Sequence, residues 1–138
     1  EAAVDGDWNS FWRAKDKAKG VSWWSVDLGK EYIIQRLTIL PRQDMNEPQA
    51  RKMLEIQGSN DPDFKTYAVL AERNEIPWYH KSTSHATNMW EQFINVPKSY
   101  RYLRVKSTDS ESKLSMAEFS AYGYLKQPVT SEVKVNGI

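Results

Sequence analysis

The sequence predicts an all-β fold, an antiparallel β-sandwich. Short stretches in which apolar and polar residues alternate recur along the chain, with turn signals between them. Helical periodicity is weak throughout. At 138 residues the chain has the length of one domain able to bury its own core.

The elements follow in order. Trp24, Val26 and Leu28 alternate with Ser25 and Asp27, and this strand is expected to stop at Gly29-Lys30 and return in a hairpin-like manner. The β-branched run Ile33 to Leu40 ends at Pro41, which cannot donate into a ladder. Arg42 to Arg51 reads as a polar loop. Leu54 and Ile56 alternate with Glu55 and Gln57 before the turn cluster Gly58-Ser59-Asn60-Asp61-Pro62. Tyr67 to Ala71 is a further strand, and Glu72 to Asn88 a long polar loop. Trp90 to Val96 and Tyr100 to Lys106 read as a hairpin around Pro97-Lys98-Ser99, with Leu103 and Val105 facing in. In the last strand, Ser115 to Tyr124, Ala117, Phe119 and Ala121 share a face opposite Glu118, Ser120 and Tyr122. Residues 1–125 thus form the domain, and 126–138 a linker or the start of a neighbouring domain.

Composition narrows the functions. The formal net charge is +1 with 27% charged residues, so no strong field points to nucleic acid or an acidic membrane. The absence of cysteine excludes disulfides, a thiol nucleophile and a zinc–thiolate site. No apolar run approaches the roughly 20 residues of a membrane span. With no initiator Met, the chain is expected to be an excised module of a larger protein. Six Trp and seven Tyr are many for this length. Most should pack the core, Trp12, Trp24 and Trp90 among them, but flat rings also serve as platforms for sugar rings.

Two segments carry the chemistry of a cation site. Ala3-Val4-Asp5-Gly6-Asp7-Trp8-Asn9-Ser10 sets two carboxylates and a hydroxyl around a glycine, a pattern that serves a turn or the oxygen cage of a hard cation such as Ca²⁺. Glu118, an acid among small and apolar neighbours near the other end, could complete the cage if the first and last strands lie side by side.

Ala3-Val4-Asp5-Gly6-Asp7 with Ser10-Phe11-Trp12, then Trp24-Ser25-Val26-Asp27-Leu28-Gly29, Leu40-Pro41-Arg42-Gln43-Asp44, Tyr100-Arg101-Tyr102-Leu103-Arg104-Val105 and Ala117-Glu118-Phe119 are ordered motifs. Over about residues 2 to 124 they make the chain resemble the discoidin, or coagulation factor five/eight type C, superfamily. Within it the chain is most similar to family 32 carbohydrate-binding modules and the galactose oxidase amino-terminal domain. The resemblance implies a jelly-roll sandwich of the galactose-binding-domain-like kind with a structural calcium ion. It places the metal ligands on Ala2, Asp5, Asp7, Ser10, Ala117 and Glu118, at a distance from the ligand loops.

For the sugar, the resemblance points to Arg42, which follows Pro41 at a strand end; the alternative is an arginine paired with Asp44 or Glu47. Arg13 stands where relatives often carry histidine, and the loop around Asn46, Met45 to Ala50, lacks their glycines. Arginine offers only donors and a permanent charge, so Arg13 with Arg42 suggests an acidic sugar. Trp78 and Tyr79, after Pro77 in a polar loop, are the candidate stacking platform. His80 and His85 are read as solvated loop residues. No catalytic constellation is apparent, so the expectation is a non-catalytic, extracellular module that binds oligosaccharide or polysaccharide for a carbohydrate-active enzyme. The alternative is an adhesion module for phospholipid or protein.

Overall fold

The computed structural model describes residues 2–7, 9–14, 21–76, 89–109 and 113–127. Among them the strands are β1 (Trp12–Arg13), β2 (Trp23–Leu40), β3 (Lys52–Ser59), β4 (Ala68–Glu75), β5 (Trp90–Phe93), β6 (Ser99–Ser107), β7 (Ser115–Met116) and β8 (Glu118–Leu125). Two 3-10 turns, Ala2–Val4 and Pro48–Arg51, complete the framework.

The 18-residue strand β2 belongs to both layers. Its first half pairs with β6, which continues through β3 to β4 and so forms the first sheet. Its second half pairs with β8 on one edge and β5 on the other, forming the second. Tyr32 and Ile33 are shared by β6 and β8, so the bend between layers lies there. A separate ribbon joins β1 to β7.

The turn expected at Gly29-Lys30 does not end a strand. Gly29 takes φ +85°, and its N–H donates to Asp27 Oδ1 at 2.8 Å, which makes a local turn. Pairing with β6 is irregular between Asp27 and Tyr32 and resumes beyond, so the turn is absorbed as a bulge in one continuous strand. The expected hairpin of Trp90–Val96 with Tyr100–Lys106 is also corrected. β5 ends at Phe93 and, among the described residues, pairs only with β2, whereas β6 lies between β2 and β3. Residues 94–98 therefore cross between layers. Alternation set the faces of these strands but not their partners. β4 begins at Ala68 and runs to Glu75, into the expected loop, because β3 pairs with it from Lys52 to Gly58, with a bulge between Ile56 and Gln57.

Leu54, Ile56, Leu103 and Val105 from the first sheet meet Leu37, Ile39, Trp90 and Phe119 from the second. Trp24 reaches across the layers to Phe119, with ring centroids 5.2 Å apart. Trp12 packs against this core from its edge. Each such burial contributes roughly 1.5–3 kcal/mol.

Candidate functional site at the loop end

The registers bring several chain segments to one end of the sandwich. Leu40 faces Glu118, Ile39 faces Trp90, Leu54 faces Ser107 and Lys52 faces Glu75. The loop 41–51 leaves from that end, and the amino-terminal segment packs there against β8.

In the amino-terminal segment, Gly6 takes φ +76°, folding the chain back so that oxygens converge. The Ser10 hydroxyl donates to Asp5 Oδ2 at 2.6 Å and lies 3.2 Å from the Asp7 carbonyl and 3.4 Å from that of Ala2. Asp7 N–H donates to Asp5 Oδ1 at 2.9 Å. Glu118 reaches in from β8, accepting from Gly6 N–H at 3.2 Å. Ala117, the residue before it, is buried and donates its N–H to the Leu40 carbonyl at 2.8 Å. The Ser10 hydrogen bond, then that of Asp7, hold the Asp5 carboxyl below its ordinary value. Burial pushes Glu118 up; the Gly6 bond opposes this, and the charges of Asp5 and Asp7 add to the rise. The negative charges of Asp5 and Asp7 thus act on Glu118, and a cation would relieve them. Among the described residues no three His, Cys, Asp or Glu side chains form a metal-holding group by themselves. The donor set fits calcium only with the Ala2 and Asp7 carbonyls and the Ser10 hydroxyl included.

Arg42 does not project from its loop. It is 7% exposed, with Nε and Nη2 donating to both Asp44 oxygens at 2.7 and 2.6 Å and Nη1 to Glu47 at 3.1 Å. Its guanidinium carbon lies 3.8 Å from the centroid of the Phe11 ring. The pairing with Asp44 and Glu47 considered as the alternative is present, with Arg42 buried and its acids partly exposed. Two carboxylates offset its one positive charge. The neighbouring Arg51 is also buried. It donates from Nε to the Ile76 carbonyl at 2.6 Å, from Nη1 to Asn46 Oδ1 at 2.7 Å and from Nη2 to Glu75 at 3.3 Å. The Ile76 N–H returns a bond to the Arg51 carbonyl at 3.1 Å. Asn46 is exposed above this anchor.

Arg13 is exposed on β1 opposite Ser115, two residues after Phe11. Arg13, Arg42 and Asn46 therefore lie at the same end of the molecule. Trp78, Tyr79, His80 and His85 lie outside the described residues, as does Trp8. The cradle around Ser10 is not distant from the Arg42 loop: Phe11, the next residue, lies under Arg42, and Glu118 pairs with Leu40, two residues before it. The sequence reading missed Phe11 and Arg51 as supports, since neither carries a signal beyond composition. Gln43 Oε1 and Ser115 Oγ, near Arg42 and Arg13, are buried without a partner among the described residues.

The profile of the F5/8 type C domain matches residues 1–119. The chain belongs to this family. Among solved structures, this F5/8 type C domain is similar to CBM62 from Clostridium thermocellum Xyl5A, at 24% identity and TM-score 0.69 over 90% of this chain and 82% of that one. CBM32-1 from a family 31 glycoside hydrolase of Clostridium perfringens is 28% identical, with TM-score 0.65 over 88% of this chain and 82% of that one. A family 32 module from C. perfringens NanJ, solved in complex with galactose, is 20% identical, with TM-score 0.65 over 87% and 81%. No curated protein matches the chain.

Proposed function

We propose that this F5/8 type C domain is a non-catalytic saccharide-binding module that serves a larger secreted carbohydrate-active enzyme. Its binding surface is the loop end bearing Arg13, Arg42 and Asn46, with Trp78 and Tyr79 supplying the stacking rings. The observation that carries this reading is the construction of loop 41–51. The buried guanidinium groups of Arg42 and Arg51 pair with acids and fix the loop, and Arg51 occupies the side-chain Oδ1 of Asn46 while leaving the side-chain amide N–H groups to donate. A loop fixed in advance loses little entropy on binding, which suits a shallow polar ligand. The similar modules from clostridial proteins, one holding galactose, support the same class of ligand.

The two-cation basis for an acidic sugar is weakened at this end, because Asp44 and Glu47 offset Arg42. A neutral, hydroxyl-rich unit fits better there. Calcium is proposed at Ala2, Asp5, Asp7, Ser10, Ala117 and Glu118. When bound it supplies positive charge to these carboxylates and ties the first and last segments together; through Phe11 it also steadies the floor of Arg42.

The test is a glycan array spanning neutral and anionic polysaccharides, read with parent chain, Asn46→Ala and Trp78→Ala, with and without chelator. The expected result is binding to neutral glycans that both substitutions weaken. Binding to phosphatidylserine liposomes with no glycan retained would sink the reading.

A further inference from the structure

The outward face of the first sheet holds a second polar and aromatic cluster that shares no residue with the loop end. Arg104 on β6 points outward between Ser25 of β2 and Gln57 of β3, its cross-strand neighbours. Three rings gather around its guanidinium carbon. The centroid of Phe64 lies at 4.3 Å, that of Tyr67 at 5.8 Å and that of Trp23 at 5.9 Å. Trp23 is 52% exposed and Tyr67 47%, so both leave ring surface open to a ligand.

The cluster is built with care for one geometry. Gln57 is fully buried; its Oε1 accepts from Arg104 Nε at 2.7 Å, while its Nε2 donates to Glu55 at 2.6 Å. Phe64 is held at φ +53°, a strained conformation for a bulky residue, by its own N–H bond to the Asp61 carbonyl at 3.0 Å. Asp61 in turn accepts from Asp63 and Lys65 N–H, each at 3.0 Å, and Ser59 binds the Asp61 and Thr66 carbonyls at 3.1 and 2.6 Å. The segment that carries Phe64 and Tyr67 is thereby locked over the sheet.

Among the described residues Arg104 and the exposed Arg73 have no ion-pair partner, and of the two only Arg104 is partly buried. Arg36, Arg42, Arg51 and Arg101 each pair with a carboxylate. Arg104 is half-buried, and among the described residues only its Nε is bonded. Glu55, the nearest acid on the face, is turned to Gln57, and Lys106 adds a second positive charge across from it. Burial pushes the Arg104 guanidinium below its ordinary value, as expected of a cation short of a counter-charge, while Tyr67 and Glu55 oppose the shift.

We propose that this face is a second glycan site, in which the two Nη groups of Arg104 take the carboxylate of a uronic-acid unit and its ring stacks on Trp23 and Tyr67. A planar fork with both terminal nitrogens open matches a carboxylate bidentately, and flat rings on either side match a pyranose face. Gln57 and Phe64 are positioning residues: one fixes the azimuth of the fork, the other backs its plane. The site does not depend on the loop-end reading, and either can fail without the other.

The probes are an oligoglucuronate tetramer, its methyl ester and a neutral oligoglucose tetramer, titrated into the full chain by calorimetry and by NMR of the Trp indole N–H signals. The acid should bind and the ester should bind roughly tenfold or more weakly, since it loses the charge-assisted pair. Arg104→Lys and Trp23→Ala should each weaken binding of the acid by roughly tenfold, whereas Asn46→Ala should leave it at the parental level. Should Trp23→Ala fail to fold, the Trp23 indole signal of the unaltered chain decides, and it should move at roughly tenfold lower concentration of the acid than of the ester. Equal affinity for acid and ester, an unchanged Arg104→Lys variant, a Trp23 signal that stays still, or loss of acid binding in Asn46→Ala would each overturn the proposal.

Discussion

Arg42 and Arg51 stand on one short loop, and each is buried for a different purpose. Arg42 is neutralised by Asp44 and Glu47, whereas Arg51 ties a backbone carbonyl, an amide and an acid from three chain segments. Arg51→Ala leaves the Ile76 carbonyl and Asn46 without their donor, and should cost roughly 2–4 kcal/mol by urea unfolding. For Arg42 the test is pH. The hydrogen bond from Arg42 holds the Asp44 carboxyl below its ordinary value. A depressed folded value means that the stabilisation is present above the unfolded pKa of about 3.9 and is lost as pH falls through the folded one. Because the Asp44 side chain is 46% exposed, screening limits the pair to about 1 kcal/mol or less. The Tm difference between parent and Asp44→Asn should therefore be small but measurable at about pH 6 and shrink as pH falls below the unfolded value of about 3.9. Arg42 itself was legible in the sequence. Its burial was not, because the Phe11 ring beneath it comes from a segment remote in sequence.

At the scale of elements, β2 shows how far local signals reach. The alternation of Trp24, Val26 and Leu28, the stop at Pro41 and the inward pair Leu103 and Val105 all stand in the structure. The stop at Gly29 and the hairpin of β5 with β6 do not. A glycine turn and a bulge share the same residues and dihedrals, and only the partner strand decides between them. A comparable irregularity separates Ile34 from Arg36 where β2 pairs with β8, and Gly123 lies opposite it. A Cβ at Gly123 would overlap the carbonyl oxygen of Ile33, a backbone atom that cannot swing aside. Gly123→Ala should cost roughly 1–3 kcal/mol, seen as a lower urea midpoint with an unchanged m-value; an unaltered midpoint would mean that β8 shifts register freely.

On the scale of the whole molecule, the amino-terminal segment and β8 meet at carboxylates that repel one another. If calcium occupies this junction, raising it to about 100 times its Kd adds about 2.7 kcal/mol, and Tm should climb by roughly 5–15 °C for a chain of this size. Glu118→Gln should abolish most of that rise, and scanning calorimetry with calcium or chelator reads both. The sequence by itself determined the class of fold, the strand faces and the family, because period-2 alternation and the ordered motifs are written locally. The family resemblance pointed to Ala2, Asp5, Asp7, Ser10 and Glu118, which hydrogen bonds link at the amino-terminal segment. Only the tertiary structure decided which strands pair, that β2 spans both layers, that Arg42 is folded inward over Phe11, and that Arg104 stands among three rings without a paired acid among the described residues. Those facts depend on contacts between residues far apart in the chain, and no local pattern encodes the partner of a strand or of a charge.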